Sequence, residues 1–442
     1  MTEANLEIIK ELKNFLQQVK QNSEVKQCFS SAKSFTKERK LPLDRLVYLI
    51  INLLKKSLSI ELEDFFQANY QQSECASKAA LSKQRQKLDY TFFALWNTLL
   101  VQSFYQYYGK KVKTWQGFRL MAIDGSTAYL INKPELVAHF GTQDNQSASI
   151  AMGRIMEVYD VLNEITVCSV LCPITVSEQA IAYQWIPNLD KDTLAIYDRG
   201  FPSFTAIYLH LEQEEPRHFV MRCKNTFNNE VKAFMSSKQN SQITSLKATV
   251  DAVKELKKQG YIITRETEVS VRLVKVKLKD GTIETLITSL LNEQDYPVSI
   301  FADLYFKRWG IETNYSTKKN YMQLEIFSGY KVNTLLQDFY ANIFISNLQN
   351  ILTKPAQELV DRNTAARMYP YKVNKNVSLG ILKKYIVRIF TTKDPSEIIT
   401  ELTKTFSKYI EPVREGRSSP RIVKIKRKKG KYHTLTNYKR AI

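Results

Sequence analysis

The stretch Tyr305–Lys319, YFKRWGIETNYSTKK, sets one glutamate among cations and aromatics in a chain that is basic almost everywhere. The segment Ser299–Asn320 contains no proline, follows Pro297 and repeats with helical period, which predicts one helix. At about 100° per residue, positions 305, 308, 312 and 319 fall within roughly a 60° sector of it. Tyr305, Arg308, Glu312 and Lys319 are therefore expected as one stripe, a carboxylate with a cation on either side and a phenol at the end. On an isolated helix Arg308 and Glu312 would be an i, i+4 surface pair. Lys318, beside Lys319, points away from the stripe.

Upstream, two further acids stand in a repeated setting. RLMAIDGSTAYL drives an apolar run into Asp124, followed by Gly125 and Ser126, and DTLAIYDRGFPSF ends a second run on Asp198, ahead of Gly200. Between them IMEVYDVLN and EITVCSVLCPITV read as strands, and Ser177 as the N-cap of a helix, SEQAIAYQWI. Strands, a helix and another strand describe a mixed sheet with its helix on one face. Each aspartate is expected to close a short buried strand, where sheet proteins place ligand chemistry. A single Asp before Gly is more often a turn residue. The repetition favours a joint role. With Glu312 as a third carboxylate, the acids could hold two divalent cations about 4 Å apart, which activate a water or a 3′ hydroxyl for in-line attack on a phosphodiester. Oxygen ligands and only four histidines favour Mg²⁺. Arg308 and Lys319 would grip phosphates beside the scissile bond, and Tyr305 would orient a phosphate or the glutamate.

Composition supports a polyanionic partner. Against 44 Asp and Glu stand 64 Lys and Arg, a net charge of +20, and 44% hydrophobic residues suffice for real cores. DNA is the expected partner, not a membrane: the longest apolar run, LVYLIINLL from Leu46, is too short to span a bilayer. The opening MTEANLEIIKELKNFLQQ lacks a basic leader and apolar run, so a cytoplasmic location is expected. Five scattered cysteines suggest neither a disulfide framework nor a zinc ribbon. Helices are expected through the first hundred residues. Among them SKAALSKQRQKL places Lys83, Arg85 and Lys87 on a short basic helix suited to DNA, or to a solvated face. SVRLVKVKL, the turn Lys279–Gly281 and TIETLITSL read as a hairpin within a β-rich insertion. The basic tail, with Lys426, Arg427, Lys428 and Lys429, is expected to bind phosphates regardless of sequence.

The spacing of Tyr305, Arg308, Glu312 and Lys319, with IDGS at Asp124 and YDRGF at Asp198, resembles the signature of DDE transposases of the insertion-sequence-four group. The likeness runs from about residue 30 to 350 and includes KLPLDRLVYLIINLLKKSLSIELEDFF and LEIFSG. It implies an α/β protein with an RNase H-like catalytic core, a mixed sheet with flanking helices, interrupted by a β-rich insertion. N-terminal and C-terminal helical regions complete the expected chain. The expected divisions are 1–112, 113–222, 223–292, 293–352 and 353–442. The resemblance implies Asp124, Asp198 and Glu312 as catalytic and metal-binding residues, with two Mg²⁺ for which Mn²⁺ could substitute. It also implies cleavage at terminal inverted repeats, strand transfer into target DNA, and a homodimer on double-stranded DNA at the bacterial nucleoid. Two other readings share the charge pattern: a transposase-derived DNA-binding protein that no longer cleaves, and a structure-specific nuclease on the same core. Three acids converging on DNA argue against a pure binder, because each repels phosphate unless a cation intervenes.

Overall fold

Apolar runs become strands, and their pairing follows from which faces are apolar. The computed structural model describes residues 1–19, 23–37, 39–70, 75–144, 149–277 and 281–414. The strands used here are β1 (Arg119–Tyr129), β2 (Thr142–Asp144), β3 (Ser149–Asp160), β4 (Ile165–Pro173), β5 (Thr193–Tyr197), β6 (His218–Cys223), β7 (Ser241–Lys247), β8 (Glu268–Lys277) and β9 (Ile283–Thr288). The chain divides into two units, one of residues 113–127 and 154–316, the other of 1–112, 128–153 and the chain from 317 onward.

In the first of these units β4 pairs with β3, and the order continues β1, β5, β6, β9, β8, β7. β1, β5 and β6 run parallel, whereas β6–β9, β9–β8 and β8–β7 are antiparallel. The sequence TLAIY explains the central place of β5: all five residues are buried, as a parallel strand covered on both faces requires. The helix Phe204–Leu211 makes the crossover to β6, and Ser203 caps it by accepting from the Ala206 N–H. Because successive side chains alternate, Leu120, Leu194, Ile196, Val220, Leu286, Val274 and Val276 join in one apolar cluster. Phe301, Leu304 and Tyr305 of the helix Phe301–Phe306 pack into that cluster. This is an α/β arrangement, a mixed sheet with helices packed on it.

Two expectations need correction. Asp124 does not close its strand, since β1 continues to Tyr129. The helix expected over Ser299–Asn320 is interrupted: Phe301–Phe306 ends, and Trp309–Asn320 begins after Lys307 and Arg308. At the joint the N–H groups of Lys307, Arg308, Gly310 and Ile311 each donate to the carbonyl three residues back, a tighter 3₁₀-type link. The tighter winding breaks the single 3.6-residue stripe. The strands of residues 223–292, expected as a β-rich insertion, extend the sheet from β6 through β9, β8 and β7. Lys279 and Asp280 of the expected hairpin turn lie outside the described residues.

The other unit is mainly helical. Leu43–Asn52 is an almost wholly buried helix, and Leu58–Tyr70 follows it. Its long helix, Val332–Thr364, is buried over most of its length and contains Pro355. A proline inside a helix leaves the carbonyl four residues earlier without its usual donor. Here that carbonyl, Ile351 O, accepts from Asn5 Nδ2 at 3.5 Å, and the Tyr108 hydroxyl, 3.3 Å from it, donates to Asn5 Oδ1 at 2.8 Å. Asn5 belongs to the helix Thr2–Gln18 and Tyr108 to Thr91–Tyr108. Trp96 stacks on Phe344 with ring centroids 4.0 Å apart, fixing two of these helices together. No helix among the described residues is long and apolar enough to cross a membrane.

Candidate active site

The three acids fall in one unit, each on a different part of its scaffold. Asp124 stands within β1, Asp198 directly follows β5, which is parallel to β1, and Glu312 lies in the helix Trp309–Asn320. That helix is fixed by the residues after the glutamate. Asn314 donates to Glu157 Oε2 of β3 at 2.7 Å, and the Tyr315 hydroxyl donates to the Asp124 carbonyl at 2.8 Å. These two bonds tie the helix to β3 and β1, so it is held where Glu312 approaches the Asp124 strand. Gly310 permits the approach, because an added Cβ would come within 3.4 Å of Val161.

Arg308 links the first and third acids. Its Nη1 lies 3.4 Å from Asp124 Oδ2 and its Nη2 donates to Glu312 Oε1 at 2.9 Å. The Arg308 side chain is only 3% exposed, and its Nε is buried with no hydrogen-bond partner among the described residues. The Asp198 carboxylate accepts from the Tyr305 hydroxyl at 3.4 Å and lies 3.8 Å from Arg222 Nη1. Arg222, on β6, also pairs with Glu284 of β9 at 2.9 Å. Burial raises the Asp124 carboxyl to about 6; the Gly125 N–H and Arg308 oppose that shift, while Asp198 and Glu178 add to it. Like charges therefore crowd this carboxyl, and Arg308 is the cation beside it.

Sequence spacing brought Tyr305, Arg308 and Glu312 together but misjudged their surroundings. Tyr305 and Arg308 are buried against carboxylates rather than presented as an open phosphate grip. Lys319 belongs to the helical unit, 3.8 Å from Glu325, and Lys318 is the fully buried member of that lysine pair. Arg85, expected to face DNA, is buried: its Nη2 meets Asp338 Oδ1 at 2.8 Å, its Nε donates to Gln337, and its Nη1 bonds the Ser328 hydroxyl. A guanidinium so enclosed holds the fold instead. Lys83 is exposed and Lys87 half-buried. Lys426, Arg427, Lys428 and Lys429 lie outside the described residues. Among the described residues no group of three His, Cys, Asp or Glu side chains is gathered closely enough to hold a metal. Arg308 instead bridges two of the expected ligands.

Sequence reasoning missed Glu178, Arg154, Arg222 and Glu284. Glu178 opens the helix Glu178–Trp185 behind the Ser177 cap, pairs with Arg154 at 2.6 Å and fills the space over Gly125, where an added Cβ would overlap its carboxylate. The glycine after Asp124 signals that close approach rather than a turn.

Asp124 within β1, Asp198 just past the parallel β5 and Glu312 on the helix beside them thus lie in one unit of the chain. The family described as Transposase DDE domain matches residues 115–348, which contain all three acids. The chain belongs to that family. It is 23% identical over 317 residues to the transposase InsG for insertion sequence element IS4 of Escherichia coli (strain K12), covering 70% of this chain and 68% of that one. A cryo-EM structure of the piggyBac transposase synaptic complex with hairpin DNA aligns with 95% of this chain and 86% of its own at 12% identity, with a TM-score of 0.44. Membership of that family makes the protein a DNA transposase, and the family uses divalent metal ions for cleavage and transesterification of DNA.

Proposed function

We propose that Asp124, Asp198 and Glu312 are the catalytic acids of this transposase and hold Mg²⁺ during cleavage at the ends of an insertion sequence and joining to target DNA. The observation that carries the reading is the Arg308 guanidinium, which touches Asp124 and Glu312 at once although 184 residues separate it from the aspartate. Hard carboxylate oxygens suit Mg²⁺, with Mn²⁺ able to substitute. When bound, a pair of such ions supplies an activated oxygen nucleophile and stabilises the leaving oxygen. The chain's own groups prepare for that charge. Arg308 offsets the two carboxylates, and its release toward a DNA phosphate would free them for cation binding. Tyr305 and Arg222 orient Asp198. Lys319 and the exposed Lys83 would contact phosphates of the inverted repeats and target, with Lys87 and the cationic residues at 426–429 adding to that contact. A homodimer on paired ends and action at the cytoplasmic nucleoid complete the reading.

Replacing Asp124, Asp198 or Glu312 by Ala should abolish Mg²⁺-dependent nicking of DNA carrying the element's flanking repeats, while duplex affinity stays unchanged or rises. Gel-resolved cleavage and a binding titration on the same preparations separate the two effects. Nicking that survives all three changes would exclude these acids.

A further inference from the structure

The helical unit contains a cavity of about 180 Å³, walled by Lys55, Gln323, Asn342, Asn376, Gly380 and Lys383 among others. Five non-glycine residues among those described have left-handed backbone, and two of them are here: Lys55 at φ 67° and Gln323 at φ 51°. Such backbone is disfavoured for L residues and persists where the surroundings impose it, often at ligand sites. Lys383 donates to the carbonyls of Ile51 at 2.6 Å and Leu53 at 3.2 Å. Burial, with the Lys55 charge nearby, lowers Lys383 to about 7, despite Glu61 and Asp338, which act in the other direction. Burial also holds Lys55 below the usual lysine range.

The two carboxylates that act on these lysines are already engaged. Asp338 receives Arg85 and the Ser328 hydroxyl, and Glu61 accepts the backbone N–H groups of Leu54 and Lys56. Gln323 and Asn376 are exposed and Lys55 and Lys383 part-buried, so a ligand can reach their polar ends from solvent. Two lysines and three amides give the cavity more donors than acceptors, and no carboxylate is among its lining residues. A tetrahedral oxyanion supplies the missing charge and several acceptor oxygens.

We propose that this cavity binds a phosphate-type oxyanion, either a phosphodiester of bound DNA or free phosphate. The site is independent of the three acids and of their assigned chemistry. Inorganic phosphate, compared with chloride at equal ionic strength, should bind the full-length protein in calorimetry. Lys55→Gly, which suits the left-handed backbone and removes one ammonium, should weaken phosphate binding at least tenfold. Gly380→Glu should do the same through an added carboxylate, because a Cβ at Gly380 meets nothing within 4 Å, and Gly380→Ala should bind as the parent does. The salt dependence of duplex DNA binding identifies the source. A slope of log affinity against log salt reduced by about one in Lys55→Gly assigns the site to a DNA phosphate. An unchanged slope with loss of phosphate binding assigns it to the free anion. The proposal fails if phosphate binds no better than chloride and the slope is unchanged, or if Lys55→Gly and Gly380→Glu both bind phosphate as the parent does.

Discussion

Asp124 carries a conflict between folding and chemistry. Its carboxyl titrates at about 6 in the fold, mainly through burial, against roughly 3.9 in an unfolded chain. The protonated form is thus favoured by folding: its contribution is fully present below about pH 4 and is lost as pH rises through 6. Asp124→Asn, which cannot ionise, should be more stable than the parent by about 2–3 kcal/mol at pH 7.5 in EDTA, and no more stable at pH 4. Urea melts at the two pH values measure this. Arg85 shows the opposite balance. Burial alone would raise Asp338, yet Arg85, Lys55 and the Ser328 bonds outweigh it and hold the carboxyl at about 2. Arg85→Met should cost about 3–5 kcal/mol by leaving that charge unpaired. Adding Asp338→Leu should recover much of the loss, and denaturation of the single and double variants tests the pair. The sequence showed that both residues were charged. It could not show that partners 253 positions apart meet in a dry interior.

Among the elements, β1 and the helix opened by Glu178 depend on each other at one glycine. Gly125→Ala should swing the flexible, part-exposed Glu178 carboxylate away from Arg154 and cost no more than about 1 kcal/mol. The second change Glu178→Ala should relieve most of that cost, since it removes the overlapping atoms; thermal melts of both variants read it. Glu178 was not legible beforehand because its closeness to Asp124 arises from sheet order and helix placement, whereas Tyr305, Arg308 and Glu312 are local in the chain. Locality had its own limit. Helical period assigned the right neighbours to Glu312 but not the joint at Lys307 and Arg308, where i to i+3 bonding replaces regular winding. The runs of β5 and β6 were legible because apolar strands of that length have few other ways to be buried.

At the scale of the whole molecule, an excess of 20 positive charges favours association with DNA. The helical unit has a more particular dependence on its first residues. Removal of residues 1–18 would take away Asn5 and leave the Ile351 carbonyl with the Tyr108 hydroxyl alone. It would also uncover the surface against Ile8, Ile9 and Leu12, all fully buried. The shortened chain should lose at least about 3 kcal/mol, measured by urea denaturation, chiefly through the lost burial of those three apolar side chains. The N-terminal helix therefore serves as a splint for the defect at Pro355. A fusion partner attached ahead of Met1 would need slack enough to let that first turn dock, and excising the splint to isolate a smaller nuclease would weaken the long helix at its middle rather than trim a loose end.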